Sequence, residues 1–166
     1  MHHASRLIVA ILNTKQIGTL VIGKNAQWKT EIALGSQTNQ NFVSIPHSRL
    51  IEMLEYKARL VGIEVIVQEE SYTSRSSFLG LDPIPVYGKT EKEPVFTGKR
   101  IKRGLYKTSI GQLINSDINA SYNILRKAIP NAFSNGIGSC VVQPRRVNPL
   151  KVKVKGEGLE ASHVYK

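Results

Sequence analysis

The chain has 166 residues, of which 41% are hydrophobic, so one domain or one domain with an appendage can bury a core, and wholesale disorder is excluded. Lys and Arg outnumber Asp and Glu by 23 to 12, which gives a net charge of +11. This surplus favours a polyanionic partner such as nucleic acid, because neutralised phosphates release condensed counterions; a solvated cationic surface is the alternative. The single cysteine, Cys140, excludes an internal disulfide framework. No signal peptide or membrane span is recognisable, so we expect a cytosolic protein.

The first seventy residues are predicted to alternate between helix and strand. In chain order, the segments are a helix over residues 7–12, a strand over 19–23, a helix over 46–61 and a strand over 63–67. Gly18 is expected to end the first helix, and Pro46 suits the first turn of the second. The polar residues 24–43 predict a long loop. A strand, a crossover helix and a second strand imply a parallel pair.

Residues 72–113 differ in character, with frequent Gly, Pro, Ser and Thr. Residues 89–107 carry seven basic residues and two acidic ones. The segments 94–98 and 105–108 predict short strands of a β-ribbon around a basic turn.

A third helix is predicted to begin at Ser116 as its N-cap and to end at Pro130. Its expected buried face consists of four apolar residues: Ile118, Tyr122, Leu125 and Ile129. The chain after Ala132 is expected to be irregular. Residues 152–155 predict either an edge strand or part of a basic disordered tail.

Two acidic groups are candidates for metal chemistry. Glu69 and Glu70 follow a predicted parallel strand, where open α/β sheets bind ligands, and carboxylates suit Mg²⁺. The alternative is an ordinary solvated strand end. Asp117 lies at a helix N-terminus, where capping is the usual role, but Asn119 and Arg126 extend from it as a polar stripe. We expect Asp117 to face the strand-end carboxylates.

Basic residues interleaved with aromatic ones predict a nucleic-acid contact, since such segments combine phosphate contacts with base stacking. The candidates are Lys99, Arg100, Lys102, Arg103 and Lys107, near Phe96 and Tyr106. A solvated charge run is the alternative. Lys24, Trp28 and Lys29 are further candidates, although a lone Trp more often serves packing.

Taken in order, several motifs resemble the TnpB (OrfB) proteins of insertion sequences, and the resemblance covers nearly the whole chain. The motifs are Ser5-Arg-Leu-Ile-Val9, Gly18-Thr-Leu-Val-Ile-Gly-Lys24, Tyr72-Thr-Ser74, Asp117-Ile-Asn-Ala120 and Tyr122-Asn-Ile-Leu125. Two more, Asn131-Ala-Phe133 and Arg146-Val-Asn-Pro149, resemble the ends of a cyanobacterial-type branch. The ordered set is specific, whereas each motif alone is weak.

The resemblance implies an RNA-guided DNA endonuclease with an RNase H-like (RuvC) fold, in which three acidic residues hold two Mg²⁺ ions. Asp117 matches the third acidic motif. The family's second motif places a Glu directly after the strand that precedes Gly23, so this chain departs from the pattern there. We predict that Glu70 substitutes for it, with Glu69 as the second candidate. Asp117 and Glu70 are then the predicted metal ligands, and DNA and a guide RNA the expected partners.

The resemblance also predicts what this chain lacks. The first acidic motif is expected upstream of Met1, which suggests a C-terminal fragment whose cleavage activity is lost. The family's zinc ribbon uses Cys pairs, but residues 72–116 contain no cysteine, so zinc is not expected. Ser76 and Ser77 stand near the first expected cysteine.

The predicted class is α/β, a partial RNase H-like fold with a degenerate zinc-ribbon-like β insertion. Its parts are a RuvC-like core over 1–71, the basic insertion over 72–113, the third-motif helix over 114–131 and an irregular basic tail over 132–166. Three functions stay open: a decayed nuclease that binds nucleic acid, a stand-alone nucleic-acid-binding accessory or regulator of transposition, and an inactive remnant. The expected location is the bacterial cytoplasm, in association with the nucleoid.

Overall fold

The computed structural model describes residues 1–25, 47–86, 88, 94–138, 140, 142–144, 147–148, 152, 154–155 and 158–159. Most of the predicted loop 24–43, together with Trp28 and Lys29, lies outside the described residues. The chain divides into two compact units. The first comprises residues 1–22, 26–66 and 146–166, and the second comprises residues 23–25 and 67–145.

The described elements form a mixed α/β arrangement with small sheets. In chain order they are α1 (His2–Thr14), β1 (Thr19–Lys24), α2 (His47–Leu60), β2 (Glu64–Glu69), β3 (Lys99–Lys102), β4 (Leu105–Lys107), β5 (Leu113–Asn115), α3 (Ser116–Ala128), β6 (Val154–Lys155) and β7 (Gly158–Leu159). The predicted helices and strands of the first seventy residues are present, but α1 begins at His2 and ends at Thr14, before Gly18, and Pro46 lies outside the described residues.

The core of the first unit lies between α1 and α2. Its buried residues are Val9, Leu54, Ala58 and Ile63, and apolar side chains of β1 and β2 pack against them. Because Leu54 and Ala58 are four positions apart, they lie on one face of α2, as the apolar spacing predicts. The same unit contains the short antiparallel pair β6–β7, which contacts α1. Of the two alternatives for residues 152–155, the edge strand is the one found at Val154–Lys155, and its partner Gly158–Leu159 lies in the segment predicted to be irregular.

Strands β1 and β2 pair with each other and run in the same direction. At their starts, the Glu64 amide donates a hydrogen bond to the Gly18 carbonyl over 2.9 Å. At their ends, Glu70 lies beside Gly23. Because the two strands start beside each other and also end beside each other, they form a parallel pair, as predicted from the strand–helix–strand order.

The second unit contains an antiparallel sheet in the order β3–β4–β5, followed directly by α3. The predicted strand over 105–108 is confirmed, but the predicted strand over 94–98 and the basic turn after it are wrong. The basic residues 99–102 form strand β3 themselves, and only Arg103 and Gly104 turn the chain into β4. Gly104 has φ of +76°, a conformation that glycine adopts without strain.

Helix α3 begins one residue earlier than predicted, and its fully buried side chains lie on a different face. Asn115, rather than Ser116, is the N-cap, and its side chain accepts from the amides of Asp117 and Ile118. The fully buried side chains of α3 are polar, namely Ser116, Asn119 and Asn123. The predicted apolar face is half-buried, and its Ile118 and Tyr122 pack against the core residues Phe78, Tyr106 and Ile114. The predicted face therefore contacts the core through Ile118 and Tyr122, and the polar side chains of α3 are more deeply buried than its apolar ones.

None of the helices in the described ranges combines the length and the apolar character that crossing a bilayer requires.

Candidate nucleic-acid interface and carboxylate site

Glu70 occupies the space in which a side chain at position 23 would begin. A Cβ atom built on Gly23 would lie 2.7 Å from Oε2 of Glu70 and 2.6 Å from Cδ1 of Ile124. Both distances are shorter than ordinary van der Waals contacts, so Gly23 leaves room for the Glu70 carboxylate. The two positions that the sequence links as alternatives for one acid are thus adjacent at the ends of parallel strands.

Glu69, the other member of the acidic pair, forms an ion pair with Lys127. Its Oε2 lies 2.6 Å from Nζ of Lys127, and its Oε1 accepts from the Ser71 amide over 2.5 Å. Burial acts to raise the pKa of Glu69, but the hydrogen bonds from Lys127 and Ser71 hold it below the ordinary value. Lys127 also donates to Ser71, so the pair fastens the end of α3 to the chain after β2.

Asp117 is exposed in the first turn of α3, where its negative charge favours the helix N-terminus. It precedes Ile124 by seven residues, and therefore lies on the same side of the helix about 10 Å further along the axis. Because Ile124 approaches Gly23, the side of α3 that bears Asp117 is the side next to Glu70. Within the described ranges, no group of three or more His, Cys, Asp or Glu side chains is arranged to hold a metal ion.

The polar stripe of α3 lies inside the second unit rather than on its surface. Asn119 is fully buried; its Oδ1 accepts from the Phe78 amide over 2.9 Å, and its Nδ2 donates to the Ser76 carbonyl over 2.8 Å. Asn123 donates to the Ser76 carbonyl over 2.7 Å and to Thr73 over 3.0 Å. The predicted role of Asn119 in nucleic-acid contact is therefore corrected: its amide holds the backbone of residues 76–78.

Arg126 continues this internal network. It is half-buried, and its guanidinium donates to Oδ1 of Asn123 over 3.0 Å and to the Asp82 carbonyl over 3.2 Å. Both acceptors belong to the protein interior, so a contact between Arg126 and nucleic acid stays a prediction that would require these bonds to rearrange.

Asp82 joins two loops of the basic insertion from a buried position. Its side chain is 2% exposed and accepts from the amides of Ser77 and Thr97, over 2.8 and 3.0 Å, and from the Thr97 hydroxyl over 2.7 Å. Asp82 is not recognisable as a site residue from the sequence, because an Asp before a Pro is typical of a turn. Its partners Ser77 and Thr97 lie 5 and 15 positions away, so no local pattern indicates its burial.

The predicted basic residues of the insertion are all exposed: Lys99, Arg100, Lys102, Arg103 and Lys107. Lys24 is likewise exposed, at the end of β1. Lys99 is paired with Lys107 across the sheet, so these two side chains share a face. Tyr106, between Leu105 and Lys107, is buried and points to the opposite face.

A β-bulge brings a third lysine to this face. The register of β3 against β4 shifts between Arg100 and Lys102, and Lys102 is paired with Leu105. Leu105 and Lys107 are two residues apart in one strand, so they share a face, and Lys102 shares it with them. If the strand alternated strictly from Lys99 to Lys102, with no bulge at Ile101, Lys102 would lie on the side of Tyr106. We call Lys99, Lys102 and Lys107 the basic face.

No curated protein gives a significant match to the chain. Residues 47–124, which are 78 of the 166 residues, match the family model described as Cas12f1-like, TNB domain. The matched segment begins with α2 and includes the three-stranded sheet and most of α3. The match supports a relation of this chain to the TnpB- and Cas12-type nuclease family.

Proposed function

We propose that the chain is part of a TnpB-type RNA-guided DNA endonuclease, with a partial RuvC-like core and a ribbon-like insertion without zinc, and that it binds nucleic acid through the basic face. The proposal extends the match over residues 47–124 to the whole chain. DNA and a guide RNA are the proposed partners, and the bacterial nucleoid is the proposed location. The close approach of Glu70 to Gly23 is the observation that carries the proposal.

The substitution of one acid by another follows from strand geometry. Parallel neighbours end at the same edge of a sheet, so an acid after β1 and an acid after β2 reach the same region. Gly23 has no side chain, and the Glu70 carboxylate lies 2.7 Å from where one would start. A glutamate at position 70 therefore supplies a carboxylate where the family's second motif would supply one from position 23.

The donor chemistry fits Mg²⁺ only in part. Glu70 and Asp117 offer the carboxylate oxygens that a hard cation prefers, and a bound Mg²⁺ would polarise a phosphodiester. Within the described residues, however, no three His, Cys, Asp or Glu side chains are grouped to hold an ion, and Asp117 lies about 10 Å along α3 from Ile124, the residue beside Gly23. We therefore derive no cleavage step, and we propose nucleic-acid binding as the activity of this chain by itself.

Exchanging the two carboxylate positions tests the site. We expect Mn²⁺, a paramagnetic substitute for Mg²⁺, to broaden the amide signals around residues 23, 70 and 117 in the nuclear magnetic resonance spectrum. Glu70→Ala should abolish most of this broadening, and adding Gly23→Glu in the Glu70→Ala background should restore it. Glu69→Ala is the matched control, because Glu69 is bonded to Lys127. Broadening that survives Glu70→Ala, or that depends equally on Glu69, would contradict the assignment.

The basic face is expected to determine the salt dependence of nucleic-acid binding. Each lost phosphate contact lowers the slope of log affinity against log salt by about 0.7 to 0.9. Replacing Lys99, Lys102 and Lys107 together by Gln should therefore lower the slope by about 2, measured by fluorescence anisotropy with a labelled oligonucleotide.

A control variant with the same charge change separates contact from general attraction. Lys15, Arg49 and Arg59 are exposed cations of the first unit, and replacing all three by Gln should change the slope by much less than 2. An equal loss in both triple variants would show that only net charge attracts the nucleic acid. No measurable affinity for DNA or RNA in the unmodified chain would refute the proposed function.

An accessory role in transposition is the second candidate, favoured by the exposed basic face together with the incomplete acidic group. Incubation with supercoiled plasmid and Mg²⁺ distinguishes the two candidates. Nicking that disappears in Asp117→Ala would identify an active nuclease, whereas binding without nicking supports the accessory role.

A further inference from the structure

We propose that a pocket beside the basic face binds one unpaired nucleotide of a single-stranded nucleic acid. The inference rests on the proposed nucleic-acid binding and adds to it a specific class of substrate. The pocket has a volume of about 310 Å³ and is lined by Ser74, Arg75, Pro94, Phe96, Gly98, Lys99, Arg100 and Tyr106.

The lining combines the two kinds of group that recognise a nucleotide. Arg75, Lys99 and Arg100 are three cations suited to a phosphate, and none of the lining residues that the structure describes carries a carboxylate. None of the three makes an ion pair with a residue that the structure describes. The half-buried Phe96 ring supplies aromatic surface, and aromatic rings stack on bases of any sequence.

One wall of the pocket is preassembled. The guanidinium carbon of Arg75 lies 5.2 Å from the centre of the Phe96 ring, within cation–π distance, and the centre of the Tyr72 ring lies 6.1 Å from that of Phe96. The guanidinium and the phenyl ring are both flat, and either surface can stack on a base. Little side-chain freedom is lost on binding when the wall already has this arrangement.

The Tyr106 ring forms the floor of the pocket. Its hydroxyl donates to the Arg75 carbonyl over 2.7 Å, which ties the wall to the sheet. Burial, with a further contribution from the Asp82 carboxylate, raises the pKa of Tyr106 to about 12, so the phenol stays neutral. A Cβ at Gly98 would lie 2.6 Å from Cε1 of Tyr106, and glycine therefore lets the backbone pack onto the ring.

The pocket and the basic face meet at Lys99. Lys99 lines the pocket and also lies on the basic face, whereas Arg100, paired with Tyr106, points to the pocket side of the sheet. A single-stranded nucleic acid whose phosphates contact the lysines of the basic face can therefore direct one base into the pocket. A volume near the low end for ligand pockets admits one nucleotide, and a base can enter only if it is unpaired and unstacked.

The test compares strands and variants in the full chain. The probes are labelled oligothymidine DNA, oligouridine RNA, an oligothymidine with one central abasic site, and a fully paired duplex. We expect Phe96→Leu to weaken binding of at least one single strand by fivefold or more, as loss of a stacked base requires. Phe96→Trp should retain affinity within twofold, and both variants should bind the duplex within twofold of the unmodified chain.

Matched controls address charge and folding. Arg100→Gln should weaken single-strand binding more than Lys107→Gln, because the two cations lie on paired strands but only Arg100 lines the pocket. Val95→Ala, at a neighbouring residue that is 87% exposed, should have no effect. A 2-aminopurine placed in the oligonucleotide should lose fluorescence on binding, and this quenching should disappear in Phe96→Leu.

The strand that loses affinity in Phe96→Leu, DNA or RNA, identifies the source of the nucleotide. An unmodified chain that binds both strands while Phe96→Leu and Arg100→Gln change neither would overturn the pocket and leave the basic face intact. A chain with no affinity for any probe would instead refute the proposed function itself.

Discussion

Replacing Asp82 with alanine is expected to lower the free energy of unfolding by about 3 kcal/mol. The Asp82 carboxylate is 2% exposed and accepts three hydrogen bonds, from the Ser77 amide, the Thr97 amide and the Thr97 hydroxyl. Alanine leaves these donors unpaired, and each buried unpaired group costs about 1–3 kcal/mol, part of which relaxation and water recover. Urea denaturation followed by circular dichroism measures the change.

Two further variants make this result specific. Asp117→Ala removes the same charge from an exposed position in the first turn of α3 and should lower the free energy of unfolding by no more than about 1 kcal/mol. Asp82→Asn retains one carbonyl oxygen as an acceptor, so its loss should fall between the two. A loss in Asp82→Ala no greater than in Asp117→Ala would mean that Asp82 does not join the loops at Ser77 and Thr97.

Asn119→Ala is expected to cost about 3 kcal/mol by a related mechanism. Its amide satisfies one donor, the Phe78 amide, and one acceptor, the Ser76 carbonyl, and no part of the side chain is exposed. The substitution adds a cavity to the two lost hydrogen bonds. Asn119→Asp keeps the volume but turns an acceptor toward the Ser76 carbonyl, so it should destabilise the chain at least as much.

Ser121 provides the comparison for Asn119. It lies on the same helix and is exposed, so Ser121→Ala should change the free energy of unfolding by about 0.5 kcal/mol or less. If Asn119→Asp were as stable as the unmodified chain, the amide nitrogen would not contribute, and the buried network would depend on shape alone.

The sequence predicts the first unit well because its signals are local. Apolar spacing in α1 and α2 reports the buried side of each helix directly, and Leu54 and Ala58 lie in the core as expected. The order of strand, helix and strand is sufficient to predict the parallel pair of β1 and β2. The pairing in turn predicts that side chains after the two strands meet, so the sequence alone makes Glu70, after β2, a candidate for the acid missing at Gly23.

The second unit was harder to predict because its contacts are distant in sequence and polar. Asn119 and Asn123 are polar residues of the kind expected on a solvent-facing side of a helix. Their burial is explained only by hydrogen bonds to the carbonyls of residues 73 and 76, more than forty positions away. The bulge at Ile101 is equally invisible to a period-two pattern, since one extra residue changes which lysines share a face. The basic character of 99–103 was correct, but its secondary structure was not.

The neighbouring ends of β1 and β2 affect how a chain of this kind is recognised by sequence motifs. A sequence motif that requires an acid directly after the first strand does not match this chain, because the residue at that position is Gly23. A comparison of carboxylate positions in space accepts it, because Glu70 ends within one side chain's length of the same point. If Glu70 replaces the acid missing at Gly23, as proposed, a pattern read along one strand misses a carboxylate that the parallel neighbour brings to the same edge of the sheet.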